Sequence, residues 1–203
     1  MQLDSTIGYA DEVDALFVRY ESRKSEEMLG NLLDWFPKAP SDFLDIGAGT
    51  GRDAAYYASL GHTVVAAEPV DVLRTRAAQL HTDPNIHWVD DGLPNLTHVR
   101  ALKSDFDMIT LHAVWMHLDA AERVIGMGQL AGLMRPGARL FMSLRHGEVP
   151  EGRRMFKVSG DETIALAAKH GLCHLHTHNT GSIQPENRAR AIRWTKLIFE
   201  KPT

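Results

Sequence analysis

The sequence predicts an α/β protein with a doubly wound, mostly parallel sheet of seven strands. The last strand is expected to be antiparallel, with helices on both faces and an N-terminal helical cap. Short apolar runs alternate with helical patterns from Asp42 to His170, and such units build parallel strands with helices on both faces. The last two apolar runs, 172–178 and 192–200, have no helical pattern between them. They therefore predict an antiparallel pair joined by the loop 179–190.

The elements follow one another in a regular order. Apolar positions at helical spacing predict a helical region from about Tyr9 to Phe36, closed by Pro37 and Pro40. The turn signal Arg135-Pro136-Gly137 precedes the fifth strand. The predicted elements of the central part are strand 42–46, helix 51–60, strand 62–67, helix 70–81, strand 86–89, strand 106–111, helix 119–134, strand 139–144 and helix 160–170.

The composition suits one compact domain. The chain has 203 residues, is 44% hydrophobic and carries a formal net charge of -4, which argues against a general affinity for nucleic acid or anionic membranes. The single cysteine, Cys173, excludes an intrachain disulfide and is consistent with a reducing compartment. No secretory signal is expected, nor an apolar stretch near the ~20 residues that cross a bilayer. We expect a cytoplasmic monomer or homodimer.

The most informative segment is the turn after the first strand, Gly47-Ala48-Gly49-Thr50-Gly51. Glycines at such a turn let backbone N–H groups approach a ligand without a Cβ in the way. The second apolar run ends in Glu68-Pro69, where an acid would hydrogen-bond the hydroxyls of a ribose. A solvated glutamate at a strand end is the alternative for Glu68. Together these features predict one half of a Rossmann-like nucleotide site.

The glycine order distinguishes between classes of nucleotide site. The pattern is G-x-G-x-G followed by Arg52 and Asp53, whereas dinucleotide enzymes carry G-x-G-x-x-G. It resembles motif I of the class I S-adenosylmethionine-dependent methyltransferases, in particular small single-domain members that act on small molecules. The resemblance implies a single methyltransferase domain over residues 1–203. Its parts would be a cap (1–40), a cofactor-binding half (41–146) and a substrate loop with the C-terminal strands (147–203).

The resemblance also implies S-adenosylmethionine as the cofactor. Tyr9 and the run from Arg19 to Arg23 are similar to the family's cap, from which Tyr20 would close over the cofactor carboxylate. Asp90 would accept from the adenine amino group, with Asp91 as the alternative, although paired acids also fit a turn and helix cap. The expected cofactor-binding residues are Tyr20, Asp45, Gly47, Ala48, Gly49, Gly51, Arg52, Asp53, Glu68, Pro69, Asp90, Asp91, Gly92, His112 and Ala113.

Three side chains are candidates for the chemistry. Methyl transfer needs an aligned acceptor in a site closed to water. His117 or His146 could act as a base for a hydroxyl or protonated amine, and Arg145 suits a carboxylate acceptor. Packing on the next helix is the alternative for His117. The loop from Gly147 to Ser159 is a candidate lid, or alternatively a solvated basic loop.

The expected activity is therefore methyl transfer to an O or N atom of a small-molecule acceptor. Two alternatives stay open: a tRNA or protein methyltransferase, and a non-catalytic module that binds S-adenosylmethionine. Arg188, Arg190 and Arg193 leave the first of these open. No metal site is expected. The alternating His174, His176 and His178 are predicted to point to one face of an edge strand, and a polar outer face accounts for them.

Overall fold

The computed structural model describes residues 6–182 and 185–203, and within them seven strands form one sheet. The strands are β1 Asp42–Ile46, β2 Thr63–Ala67, β3 Ile86–Val89, β4 Phe106–His112, β5 Met134–His146, β6 Cys173–Gly181 and β7 Arg193–Glu200. Their order is β3-β2-β1-β4-β5-β7-β6. Strands β1 to β5 pair in parallel, and β7 pairs antiparallel with both β5 and β6. The predicted fold class is confirmed.

The helices follow the predicted order, with two additions. The α-helices are α1 Val13–Glu21, α2 Ser25–Leu29, α3 Arg52–Ser59, α4 Asp71–Leu80, α5 Thr97–Leu102, α6 Ala120–Leu133, α7 Gly160–Lys169 and α8 Pro185–Ala189. Short 3₁₀ helices span Ala10–Glu12, Gly30–Trp35 and Trp115–His117. Neither α5 nor α8 is predicted from the sequence, because five or six residues are too few to show a helical period. No helix of the described residues is long and apolar enough to span a membrane.

Helices and the cap cover both faces of the sheet, and the cap approaches the carboxyl ends of the parallel strands. On one face, α3 and the cap residues Leu29, Leu32 and Phe36 bury Phe43 of β1. Helices α5, α6 and α7 contribute to the core of the opposite face. The cap helix α1 packs on α4 through Leu16 and other apolar side chains. The cap therefore lies near the carboxyl ends of the parallel strands, where open α/β sheets bind ligands.

Two strands contain irregularities that the sequence analysis misses. In β5 the register passes from Phe106↔Met134 to Met108↔Arg139, so the predicted turn at 135–137 is an interruption within a longer strand. In β6 the bulge at Leu175 pairs His174 with Phe199 and His176 with Ile198. The prediction that His174, His176 and His178 share one face is therefore wrong, because an extra residue reverses the alternation. No metal-binding group of His, Cys, Asp and Glu occurs among the described residues.

Candidate active site

A cavity of about 340 Å³ opens beneath the cap at the carboxyl ends of β1 and β4, within the ~300–1,000 Å³ typical of small-molecule sites. The predicted site residues that line it are Tyr20, Asp45, Gly47, Ala48, Gly49, Arg52, Asp53, Glu68, Pro69, Gly92, His112, Ala113, His117 and Arg145. The structure thus brings together residues from the cap, the glycine loop and the ends of four strands.

The glycine loop and Glu68 form one hydrogen-bonded unit. The Gly49 N–H donates to Glu68 Oε2 at 2.8 Å, and the Val70 N–H donates to Oε1 at 2.9 Å. The Glu68 side chain is buried, and this burial raises its pKa to about 7 despite both hydrogen bonds. A Cβ on Gly49 would approach nothing closer than 3.9 Å, so the loop presents bare backbone to open space. A ligand can therefore lie directly against the main chain here.

Gly51 supports the loop from behind instead of lining the cavity. Its φ is +86°, and a Cβ there would lie 2.6 Å from the Trp88 ring. Only glycine combines this backbone conformation with that close approach. The third glycine of the motif therefore lets the loop pass directly against Trp88 of β3.

A buried ion pair lies at the start of α3. Asp53 accepts from Arg52 Nε at 2.9 Å and Nη2 at 2.7 Å, and from Ser25 Oγ at 2.6 Å. Burial raises the pKa of Asp53, but His112, Arg52 and the hydrogen bonds outweigh it and leave the pKa at about 2. Burial also lowers the pKa of His112 to about 4. His112 is therefore neutral at pH 7, and Arg52 supplies the positive charge that balances Asp53.

The ends of β1, β4 and β5 are joined by hydrogen bonds at the cavity wall. Thr110 Oγ1 donates to Asp45 Oδ1 at 2.7 Å, and burial raises the pKa of Asp45 to about 7. The Ala113 N–H donates to Ser143 Oγ at 2.9 Å. Ala113 has a φ of +58°, a conformation that costs a non-glycine residue energy and that clusters at functional sites.

Tyr9 and His117 form a hydrogen-bonded pair in the wall of the same cavity. His117 Nδ1 lies 2.7 Å from the Arg154 carbonyl oxygen, which can only accept, so Nδ1 carries the proton. Nε2 then accepts from the Tyr9 hydroxyl at 3.0 Å. Burial lowers the pKa of His117, and burial raises the pKa of Tyr9. At pH 7 the pair is a neutral phenol donating to a neutral imidazole.

The loop from Gly147 to Ser159 is tied to the cap and to α6. The Arg153 guanidinium lies 3.8 Å from the centre of the Tyr9 ring and 2.8 Å from Glu12. Arg154 lies 2.8 Å from Glu122 and donates to the His117 carbonyl at 2.7 Å. Because Arg153 and Arg154 pack against these partners, this part of the loop covers the cavity and is not a free basic segment in solvent.

Three predicted polar residues do not line this cavity. His146 Nε2 lies 2.8 Å from Thr195 Oγ1, in a separate depression between β5 and β7. Asp91 accepts from the backbone N–H groups of Gly92 and Val99, both at 2.8 Å, so it caps the turn before α5. Asp90 pairs with Arg74 at 3.2 Å and is largely exposed. A strand-end position alone did not reveal these local partners.

A family model described as a methyltransferase domain matches residues 18–194. The chain belongs to this family. The predicted enzyme class, an S-adenosylmethionine-dependent methyltransferase, and its cofactor are thereby confirmed. No curated protein matches the methyltransferase in a sequence search.

Solved structures share its fold at low sequence identity. A 1,6-didemethyltoxoflavin-N1-methyltransferase from Burkholderia thailandensis is 17% identical with a TM-score of 0.71, and the match covers 96% of this chain and 87% of that one. A TehB-like methyltransferase from Corynebacterium glutamicum is 19% identical with a TM-score of 0.67, over 94% and 98%. The magnesium protoporphyrin IX methyltransferase of Synechocystis PCC 6803 is 16% identical with a TM-score of 0.66, over 96% and 80%.

Proposed function

We propose that the methyltransferase transfers a methyl group to an O or N atom of a small-molecule acceptor. The observation that carries this proposal is the single cavity that the glycine loop and Glu68 share with the Tyr9–His117 pair. The cap and the loop at 147–159 cover it, which favours a small acceptor over a polymer. Two of the structures with the same fold are named for small-molecule substrates, 1,6-didemethyltoxoflavin and magnesium protoporphyrin IX.

The residues around the glycine loop and Glu68 fit S-adenosylmethionine. Glu68 has two buried carboxylate oxygens to accept from the ribose hydroxyls, and the open face of Gly49 leaves room beside the main chain. Asp45, Asp53 and His112 surround the place proposed for the amino-acid part. When bound, the cofactor supplies a methyl group on a positively charged sulfur.

His117 is the proposed base. Its Nε2 is unprotonated and already accepts from Tyr9, so a proton from the acceptor can pass to the Tyr9 oxygen as the Tyr9 proton passes to Nε2. The raised pKa of Tyr9, caused by burial, means that the two transfers are coupled and no free phenolate forms. Arg154, which bonds to both backbone and acids near His117, positions the imidazole.

Glu68→Ala tests whether Glu68 binds the cofactor. We expect this change to weaken S-adenosylhomocysteine binding by about 100-fold or more, because it removes an acceptor of two hydroxyls. Isothermal titration calorimetry with S-adenosylmethionine, S-adenosylhomocysteine and NADH measures the effect. Asp71→Ala removes the same charge from an exposed neighbour that pairs with Arg74, and it should bind like the wild type. Equal affinities in the wild type and Glu68→Ala, or equally tight NADH binding, would refute the proposal.

Cofactor affinity should also depend on pH. Burial raises the pKa values of Glu68 and Asp45 to about 7, and only an ionised Glu68 can accept from both hydroxyls. We expect S-adenosylhomocysteine affinity to fall as the pH drops below 7, by up to about tenfold per unit for each group that must ionise. Glu68→Gln should show a shallower dependence over pH 5.5–8.5, since about one titration is lost. Parallel curves for the two proteins would exclude Glu68 as the titrating group.

A further inference from the structure

The cationic side chains around the cavity differ in their partners. Arg52 is paired with Asp53, and Arg153 with Glu12. Lys196 lies near Asp53 and His112, because the charges of Lys196 and Asp53 act on each other and on His112. Each of these three cations has an acid nearby. Arg19 and Arg23 also line the cavity, from α1 and the residues just after it.

Arg145 differs from these cations. Its guanidinium donates to the Glu148 carbonyl at 2.6 Å, and it forms no ion pair with a carboxylate among the side chains that the structure describes. A guanidinium carries five N–H donors, so most of them are unused. Burial and the neighbouring Arg190 lower the pKa of Arg145, and together they outweigh Tyr9 and Glu148, which act in the opposite direction.

Arg145 lines the same cavity as Tyr9 and His117. In β5, Ser143 pairs with His112 of β4, and Arg145 follows on the same face of the sheet, past the end of β4. Arg145 acts electrostatically on both Tyr9 and His117. A partly buried guanidinium beside the proposed base can therefore hold a second group of the same acceptor.

We infer that the acceptor carries a carboxylate or phosphate group, which Arg145 binds while the nucleophilic atom lies at the Tyr9–His117 pair. This inference rests on the proposed function and adds the substrate class to it. A planar guanidinium matches both anions through two parallel hydrogen bonds, whereas a lysine offers a single point of charge. The anion would form an ion pair with Arg145 and fix the orientation of the acceptor.

The test uses the enzyme saturated with S-adenosylhomocysteine and titrated with inorganic phosphate and with benzoate by calorimetry. The wild type should bind at least one anion, and Arg145→Gln should bind it about 10- to 100-fold more weakly. Arg145→Lys should fall between them. Arg100→Gln removes the same charge from an exposed helix position and should bind like the wild type. S-adenosylhomocysteine affinity should be equal in all four proteins.

Turnover of paired acceptors provides the second measurement. Benzylamine and phenol are compared with 4-(aminomethyl)benzoate and 4-hydroxybenzoate, and any turnover should favour the acids in the wild type but not in Arg145→Gln. Two results would overturn the inference: no binding of either anion to the wild type, or binding that Arg145→Gln retains. The proposed function would survive both results if S-adenosylhomocysteine still bound, whereas loss of that binding in the wild type would remove the proposed function as well.

Discussion

Replacing His117 with alanine is expected to lower kcat by about 100- to 10,000-fold, the range for loss of a general base. Affinity for S-adenosylhomocysteine should stay near the wild-type value, because the His117 side chain is hydrogen-bonded to Tyr9 and to the Arg154 carbonyl and not to Glu68 or the glycine loop. In the wild type saturated with S-adenosylmethionine, kcat/KM for the acceptor should rise with pH through a midpoint below the usual imidazole value of about 6.5, since burial lowers the pKa of His117 and the base must be unprotonated. Steady-state kinetics with any acceptor that turns over measure both effects.

Two further variants show whether the pair acts as a unit. Tyr9→Phe keeps the ring that packs on Arg153 but removes the hydroxyl, and it should also lower kcat if the proton passes through that oxygen. His146→Ala should have little effect, because His146 is bonded to Thr195 outside the cavity. A kcat loss in His146→Ala equal to that in His117→Ala would reassign the base to His146.

Replacing Asp53 with alanine is expected to lower the free energy of unfolding by about 3–5 kcal/mol, the usual cost of leaving one partner of a buried ion pair alone. Arg52 would keep its charge in a largely buried position, and Ser25 would lose its acceptor. Urea unfolding followed by circular dichroism measures the change. Because Arg52 also contacts the Tyr20 carbonyl in the cap, the cap should loosen together with α3.

The surface pair Asp34–Lys38 supplies the matched control. Its charged atoms are 3.9 Å apart and both side chains are at least 70% exposed, so Asp34→Ala should cost less than about 1 kcal/mol. Replacing Arg52 and Asp53 together with leucines should recover part of the loss, since no unpaired charge then remains. A loss in Asp53→Ala no larger than that in Asp34→Ala would show that the buried pair contributes little.

Most of the sheet could be predicted because each central strand is a short apolar run bounded by turn residues. The bounds of β1, β2 and β3 follow directly from that pattern. The bulge at Leu175 could not, since alternation along one strand does not record how the neighbouring strand pairs with it. The interrupted start of β5 at 135–137 has the same cause, because a proline and glycine indicate a turn equally well within a strand or before one.

The site could be predicted where its residues are close in the sequence. The glycine loop and Glu68 lie on adjacent strands, so their meeting follows from the βαβ pattern. The Tyr9–His117 pair joins residues 108 positions apart, and its partner Arg153 comes from yet another segment. Contacts between residues so far apart leave no pattern in the local sequence, although Tyr9 and His117 each lie in a segment that resembles the family. The hydrogen bonds of Asp91 and His146 could not be predicted either. A motif position shows neither the nearby N–H groups from which Asp91 accepts nor the pairing of His146 with Thr195 of β7.

The cap takes part in both functions proposed for the cavity. Ser25 donates to Asp53 and Arg52 contacts the Tyr20 carbonyl, so the cap is bonded to the region of the glycine loop, while Tyr9 of the same N-terminal segment pairs with His117. The cap residues Leu29, Leu32 and Phe36 also bury Phe43 of β1. Cofactor binding and acceptor binding are therefore coupled through one segment of the chain, and a substitution in the cap that alters acceptor choice also acts on the cofactor site.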